Sequence, residues 1–431
     1  MNYVSTRGQV PAIGLGPALA AGLAPDGGLY VPQTLPAFVP RDFDGCETLS
    51  AITRRLLEPF FDGDPLAAEL AAICDEALDI PVPLRPLDEV TSLLELFHGP
   101  TAAFKDFAAR FLAACLARLR APDEPTRTVL VATSGDTGAA VAAAFHRRPG
   151  FRVVVLYPDG RVSPRQAHHL GSFGDNVVAL RVAGSFDDCQ ALAKRALNDA
   201  ALQRDVPLTS ANSISLGRLL PQVGYYALTA LERQRAGRPA PNLAIPTGNL
   251  GNALGAVLAR RIGLPIGDIV LATNANRTLG DFFGGAPYTP RASIATLANA
   301  MDVGAPSNFE RLRWLYPDDD VLRRILGAHR VDDDTIRTVL RTARERHGTL
   351  VCPHTATALH AVETRRAHGD RRDWIVVATA HPAKFESVIE PLIGEPIPLP
   401  PALADAMAGP SRAEPIADDY AALCRRLRKP D

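Results

Sequence analysis

The chain has 431 residues, with 46 Lys+Arg against 47 Asp+Glu and a formal net charge of -1. A near-neutral chain that is 47% hydrophobic and 22% charged gives no electrostatic basis for binding nucleic acid or an anionic membrane, and its length allows two or three domains around a large core. Six cysteines lie far apart with no CxxC pair, which reads as reduced, mostly buried thiols.

The opening "MNYVSTRGQVPAIGLG" lacks the long apolar run of a secretory leader. Alanine-rich runs such as "AAVAAAF" fall short of the about 20 residues of a membrane span, so the expected location is the cytoplasm. Through the Pro-rich "DIPVPLRPLDEV" (79–90) the chain reads as a small accessory unit, in which "GLAPDGGLYVP" (22–32) sets turn residues before a short strand.

In "LFHGPTAAFKDFAARFL" (96–112) the apolar positions Phe107, Phe111, Leu112, Cys115, Leu116 and Leu119 predict a helix starting near Pro100–Thr101. Lys105 falls in its opening turns, beside the buried stripe. The chain writes its cations almost wholly as arginine, with lysine only at 105, 194, 384 and 429. Partial burial and the positive end of the helix dipole both disfavour an ammonium there, lowering the pKa from its reference of about 10.4. A neutral amine is a nucleophile, whereas guanidinium keeps its proton at neutral pH. The alternative is a surface lysine paired with Asp106.

Beyond it, β-rich runs at 128–133, 152–157, 176–182, 242–246, 268–273 and 374–380 alternate with helical stretches such as 138–148 and 252–263. Apolar strands separated by helices imply parallel sheets covered on both faces, here as two sheet-centred α/β domains with a ligand between them. "TSGDTG" (133–138) sets Ser134, Asp136 and Thr137 in a polar turn between strand and helix. It reads as a carboxylate-binding loop or as a helix cap, and Asp136 should face a hydroxyl or an amine. "PTGNLGN" (246–252) sets Gly248, Asn249, Leu250, Gly251 and Asn252 before a helix. It lacks P-loop and dinucleotide spacings, and reads as a phosphate cradle or a tight turn. "TSANSISLGRLLPQ" (209–222) brings hydroxyls and amides ahead of Arg218, an anion clamp or a helix start. Thr379 ends a buried strand, where parallel sheets bind ligands. No HExxH zinc motif or G-x-S-x-G elbow occurs. The segment "GEPIPLPPALADAMAGP" (394–410) predicts an extended wrap before a last Arg-rich helix.

Taken together, "YVSTRG", "GLAPDGGLYVP", "HGPTAAFKDFAARFL", "TSGDTGAA", "YPDGRVSP", "FDDCQ", "PTGNLGN", "PSNFERL" and "TAHPAKF" resemble the threonine synthase family, pyridoxal-phosphate (PLP) enzymes of fold type II, nearly end to end. The resemblance implies a tryptophan synthase β-like α/β core (89–400) of two interleaved domains, the smaller about 125–220. An N-terminal accessory domain (1–88), like that of the longer bacterial and fungal branch, would precede it, and a C-terminal wrapping segment with a helix (401–431) would follow. Carried over by motif, Lys105 would bond PLP and be catalytic. Residues Gly248 to Asn252 would cradle its phosphate, Asp136 would lie near its 3-hydroxyl and Thr379 would meet the pyridine nitrogen. Ser134 and Thr137 would bind the substrate carboxylate. Arg218 with Ser213, and Ser163 or Arg161, would hold the substrate phosphate.

Relatives often have Phe and Asp where this chain has Leu250 and Asn252, and "SPRQAHHLGSFGDNV" (163–177) departs from the more acidic version after "SP". The implied reaction, which closes threonine biosynthesis, converts O-phospho-L-homoserine and water to L-threonine and phosphate by γ-elimination and β-addition of water. A monomer or homodimer is expected. The competing readings are another fold-type-II enzyme (a threonine or serine dehydratase, or a cysteate synthase-like enzyme), a non-catalytic PLP- or metabolite-binding protein, and a nucleotide-binding α/β protein.

Overall fold

The computed structural model describes residues 1–429. Its strands are β1 Tyr3–Ser5, β2 Tyr30–Pro32, β3 Leu84–Pro86, β4 Thr91–Glu95, β5 Arg127–Ala132, β6 Phe151–Pro158, β7 Val177–Val182, β8 Leu208–Thr209, β9 Asn242–Pro246, β10 Ile269–Thr273, β11 Leu326–Arg330, β12 Trp374–Ala378 and β13 Glu414–Ile416. They form three sheets. β1 and β2 make an antiparallel pair near the N-terminus. β11-β10-β9-β12-β4-β3 form a six-stranded sheet, parallel except for the edge strand β3, and β13-β7-β6-β5-β8 form a parallel five-stranded one.

The central strands β9, β10 and β12 are buried along their whole length, so their apolar runs do not alternate with polar residues. The larger sheet takes β3 and β4 from before β5 and β9 to β12 from after β8, so β5 to β8 of the smaller sheet are an insertion, to which the C-terminal β13 adds an edge. Thr48 caps the helix Leu49–Phe61, whose buried Ile52, Leu56, Leu57, Phe60 and Phe61 join the N-terminal unit to the main core.

Three sequence expectations need correction. The helix expected from Pro100–Thr101 begins at Lys105, because the residues before it are held by tertiary contacts. Thr101 donates N–H and Oγ to the buried Asp106 carboxylate, Phe104 N–H donates to Thr379 O, and His381 N–H donates to Ala102 O. Asp106 is thereby engaged, and it is not the partner of Lys105. The tail is also more regular than an extended wrap. It forms a helix Pro401–Ala408 and adds β13 to the smaller sheet before the last helix Tyr420–Arg428. Among the described residues no helix is long and apolar enough to cross a membrane.

Candidate active site

A cavity of about 840 Å³ lies between the two parallel sheets. Its wall is built where strands end. Ser134, Asp136 and Thr137 follow β5, the segment from Thr247 to Asn252 follows β9, and Thr379 follows β12. Lys105, at the start of the helix Lys105–Leu119, and Ser213 and Arg218, around the short helix Leu216–Leu219, complete it. C-terminal strand ends are where open parallel sheets leave room for ligands.

Lys105 and Asp136 form the polar centre. Lys105 Nζ is 3.6 Å from Asp136 Oδ2 and 4.8 Å from the centroid of the Phe104 ring. Burial pushes the Lys105 amine below its ordinary value. Asp136 opposes that shift, while Lys384 and Arg218 add to it. Burial would raise the Asp136 carboxyl, but Lys384 and Lys105 together hold it well below the usual carboxylate range. Gly135 makes this turn at φ 128, a conformation that L side chains rarely adopt. A Cβ there would also lie 2.5 Å from Gln166 Nε2, which donates to Asp136 Oδ1 at 3.0 Å.

The two loops fit anions. Thr133 Oγ1 accepts the N–H groups of Gly135 and Gly138, whereas those of Ser134, Asp136 and Thr137 find no acceptor among the described residues. After β9, none of the N–H groups from Gly248 to Ala253 has an acceptor among the described residues. Leu250 turns the chain at φ 64 into the helix Gly251–Arg261, so these donors gather at a helix N-terminus. A Cβ on Gly248 would come within 2.7 Å of Met301 Cα, while one on Gly251 would meet nothing closer than 3.8 Å. The loop therefore needs glycine for backbone packing on one side and leaves room for a ligand on the other. That is what the phosphate of PLP requires, and Lys105 supplies the amine that its aldehyde requires.

The loop is held from behind. Asn249 Nδ2 donates to Ser213 Oγ at 2.7 Å, Ser307 N–H donates to Asn249 Oδ1, and Asn308 Nδ2 donates to Asn249 O at 3.0 Å. The Asn252 side chain points away into the core, where its Oδ1 accepts from the Tyr225 and Tyr226 hydroxyls. Arg218 Nη1 donates to Ala211 O at 2.5 Å, its Nε has no partner among the described residues, and burial lowers its pKa to about 10. The Thr379 carbonyl is taken by Phe104 N–H, and Thr379 lines the cavity.

Ser163 and Arg161 are not part of this wall. Ser163 Oγ donates to Lys384 O at 2.7 Å and caps the helix Pro164–Gly171, and Arg161 is exposed. The Ser-Pro start of that helix explains the hydroxyl without any ligand. Two residues escaped the sequence reading. Lys384 is 2% exposed, with Nζ 2.7 Å from Asp136 Oδ1. His354 lines the cavity and accepts Ala300 N–H at Nε2, and burial lowers its pKa to about 4. For Lys384 a signal existed, since it is one of four lysines in an arginine-rich chain and lies inside the quoted "TAHPAKF".

A lysine set against a carboxylate between two parallel sheets, with anion loops at the strand ends, defines a pyridoxal-phosphate enzyme of fold type II. The profile of the family "Pyridoxal-phosphate dependent enzyme" matches residues 80–380, and those for the threonine synthase N terminus and C-terminal regions match 2–78 and 355–425. The chain is 38% identical to threonine synthase of Serratia marcescens over 406 residues, covering 94% of each chain. It is 38% identical to that of Escherichia coli K12 over 426 residues, covering 98% of each. A crystal structure of PLP-bound threonine synthase from Brucella melitensis superposes with a TM-score of 0.91 at 33% identity, covering 99% of both chains. The chain belongs to the threonine synthase family.

Proposed function

We propose that this enzyme converts O-phospho-L-homoserine and water to L-threonine and phosphate, with Lys105 as its catalytic amine. The carrying observation is the Lys105–Asp136 pair at 3.6 Å on the wall of a cavity that also holds two sets of unpartnered N–H groups. One set suits the phosphate of the cofactor, from Gly248 to Asn252. The other suits the α-carboxylate of the substrate, at Ser134 and Thr137.

Pyridoxal phosphate, when bound, supplies the electron sink for the electrons of the broken Cα–H bond. Every other part of the reaction falls to the chain. Lys105 Nζ, its amine pushed below its ordinary value by burial, accepts the α-proton in its neutral form and later returns one. Asp136 faces the site as an anion, orients the amine and would receive the 3-hydroxyl of the cofactor. The Thr379 hydroxyl would meet the ring nitrogen without the charge a carboxylate would bring there. Arg218 and Ser213 hold the phosphate that leaves Cγ, and the phosphate itself assists as a base. Water adds at Cβ only after that departure, so the inserted sheet closes over the ligand during turnover. The division into residues 1–88, 89–400 and 401–431 follows this reading. On it the enzyme works in the cytoplasm, as a monomer or homodimer.

The test is phosphate release from O-phospho-L-homoserine by the PLP-loaded enzyme, with the product identified as threonine and Lys105→Ala run alongside. Threonine from the wild type alone supports the reading, and a bound cofactor without threonine rejects the substrate. A dehydratase of this fold needs no phosphate clamp, so Arg218→Met separates the two activities. Loss of a buried charge partner predicts about 100-fold lower kcat/KM on the phosphorylated substrate. An unchanged value would favour a dehydratase.

A further inference from the structure

Two of the four lysines converge on one carboxylate, and the reaction proposed above uses only Lys105. Lys384 Nζ lies 2.7 Å from Asp136 Oδ1 and donates to Thr101 O at 2.7 Å, while Lys105 Nζ approaches the other oxygen at 3.6 Å. The ammonium at 384 therefore has two close acceptors and the one at 105 has a single distant one. The cation at 384 is also fixed in space. It lies in the turn Pro382–Phe385, where Ser163 Oγ donates to Lys384 O and Arg165 Nη1 donates to Ala383 O at 2.9 Å.

We propose that Lys384 is a positioning residue that balances the Asp136 carboxylate from the side opposite Lys105, so that Lys105 can give up its proton while Asp136 stays ionised. With a single lysine facing it, a buried carboxylate would keep that lysine charged, because neither ion would have another ion-pair partner. With Lys384 in place, the cluster of two amines and one carboxylate remains neutral overall after Lys105 is deprotonated.

The other groups around Asp136 do not replace Lys384. Gln166 donates to the same oxygen but carries no charge. On the helix Pro353–Ala367 and its cap, burial keeps His354 neutral down to about 4 and raises the Cys352 thiol. His169 on the helix Pro164–Gly171 is kept neutral by burial down to about 3. Asp106 is held by Thr101, and Arg218 donates to Ala211 O. Lys384 is the second cation in salt-bridge contact with Asp136 among the described residues.

The proposal rests on the reading of Lys105 as the reactive amine, but its test uses neither cofactor nor substrate. A failed synthase assay would therefore leave it standing. Full-length apoenzyme is pulsed with acetic anhydride across a pH series, and acetylation of Lys105 is measured by mass spectrometry against Lys429. Lys384→Met should move the Lys105 midpoint upward by about one pH unit, roughly a tenfold drop in labelling at fixed pH below it. Asp136→Asn should move it downward, because only cations then face Lys105. Adding Lys384→Met to Asp136→Asn should not raise it above wild type. An unmoved or lowered midpoint in Lys384→Met, with the far-ultraviolet spectrum retained, overturns the proposal. Should that variant fail to fold, Asp136→Asn decides alone, and an unmoved midpoint there overturns it equally.

Discussion

Arginine at 105 would keep a charge in place and remove the chemistry. Its guanidinium retains its proton at neutral pH and forms no bond with an aldehyde, so Lys105→Arg should fold and neither retain PLP after borohydride reduction nor turn over. A folded variant that still fixes the cofactor would move the bonding amine elsewhere. Gly248 makes a second residue-scale case. Its missing Cβ would sit 2.7 Å from Met301 Cα, and a backbone atom cannot rotate away as the end of a side chain can. Gly248→Ala should therefore displace the loop or the 299–301 turn at a cost of about 1–3 kcal/mol. PLP titration should read this as roughly 10- to 100-fold weaker binding, with the melting temperature lowered by a few degrees. Equal affinities would show that the loop does not carry the phosphate.

At the scale of elements, the N-terminal unit reaches the loop from Gly248 to Asn252 through one buried arginine. Arg311, on the helix Phe309–Leu315, donates from Nε and Nη2 to Tyr30 O and from Nη1 to Asn308 Oδ1. Asn308 in turn donates to Asn249 O and Ser213 O. Burial lowers Arg311 to about 9, and its close partners are a carbonyl and an amide. Arg311→Met keeps most of the volume and leaves Tyr30 O and Asn308 Oδ1 without these donors, a loss of about 1–3 kcal/mol each. Cofactor dissociation should quicken about tenfold or more in this variant while both parallel sheets persist. Unchanged dissociation would mean that the N-terminal unit does not steady the loop.

Such relays are what a linear reading misses. The runs 242–246 and 374–380 were legible because fully buried strands are continuously apolar, and "SGDTG" and "GNLGN" because turns between strand and helix demand glycine. β11, with Gly327, His329 and Arg330 on an edge, carries no such signal. The helix start at Lys105 was hidden too, since Asp106, Thr379 and His381 fix the preceding turn from residues up to 280 positions away in the chain. Ser163 misled for the converse reason, because a hydroxyl before proline serves a cap as readily as a ligand.

On the scale of the whole molecule, the joint between the two parallel sheets is polar, and its charge state ties stability to pH. Arg165 crosses that joint, with Nη1 on Ala383 O and Nη2 on Glu390 Oε1 at 2.8 Å. Beside it His169 is 3% exposed, stacks on Phe173 with centroids 5.3 Å apart, and leaves Nδ1 without a partner among the described residues. Burial lowers its folded pKa to about 3, whereas an unfolded histidine titrates near about 6.5. As pH falls below about 6.5 the unfolded chain takes up a proton that the folded chain refuses, so this contribution to stability is present above about 6.5 and lost on acidification. Asp302 works in the opposite direction, because burial raises its carboxyl to about 7. A pH curve of the wild type alone would therefore mix these two with His329, His354 and His381, which burial also lowers to about 4. His169→Phe isolates the His169 contribution, since phenylalanine keeps the stack and removes both the proton site and the unpartnered nitrogen. Urea unfolding should show the variant gaining about 2 kcal/mol on the wild type between pH 7 and pH 5. Parallel curves for the two proteins over that range would mean that His169 accepts its proton inside the fold and that this joint opens readily to water.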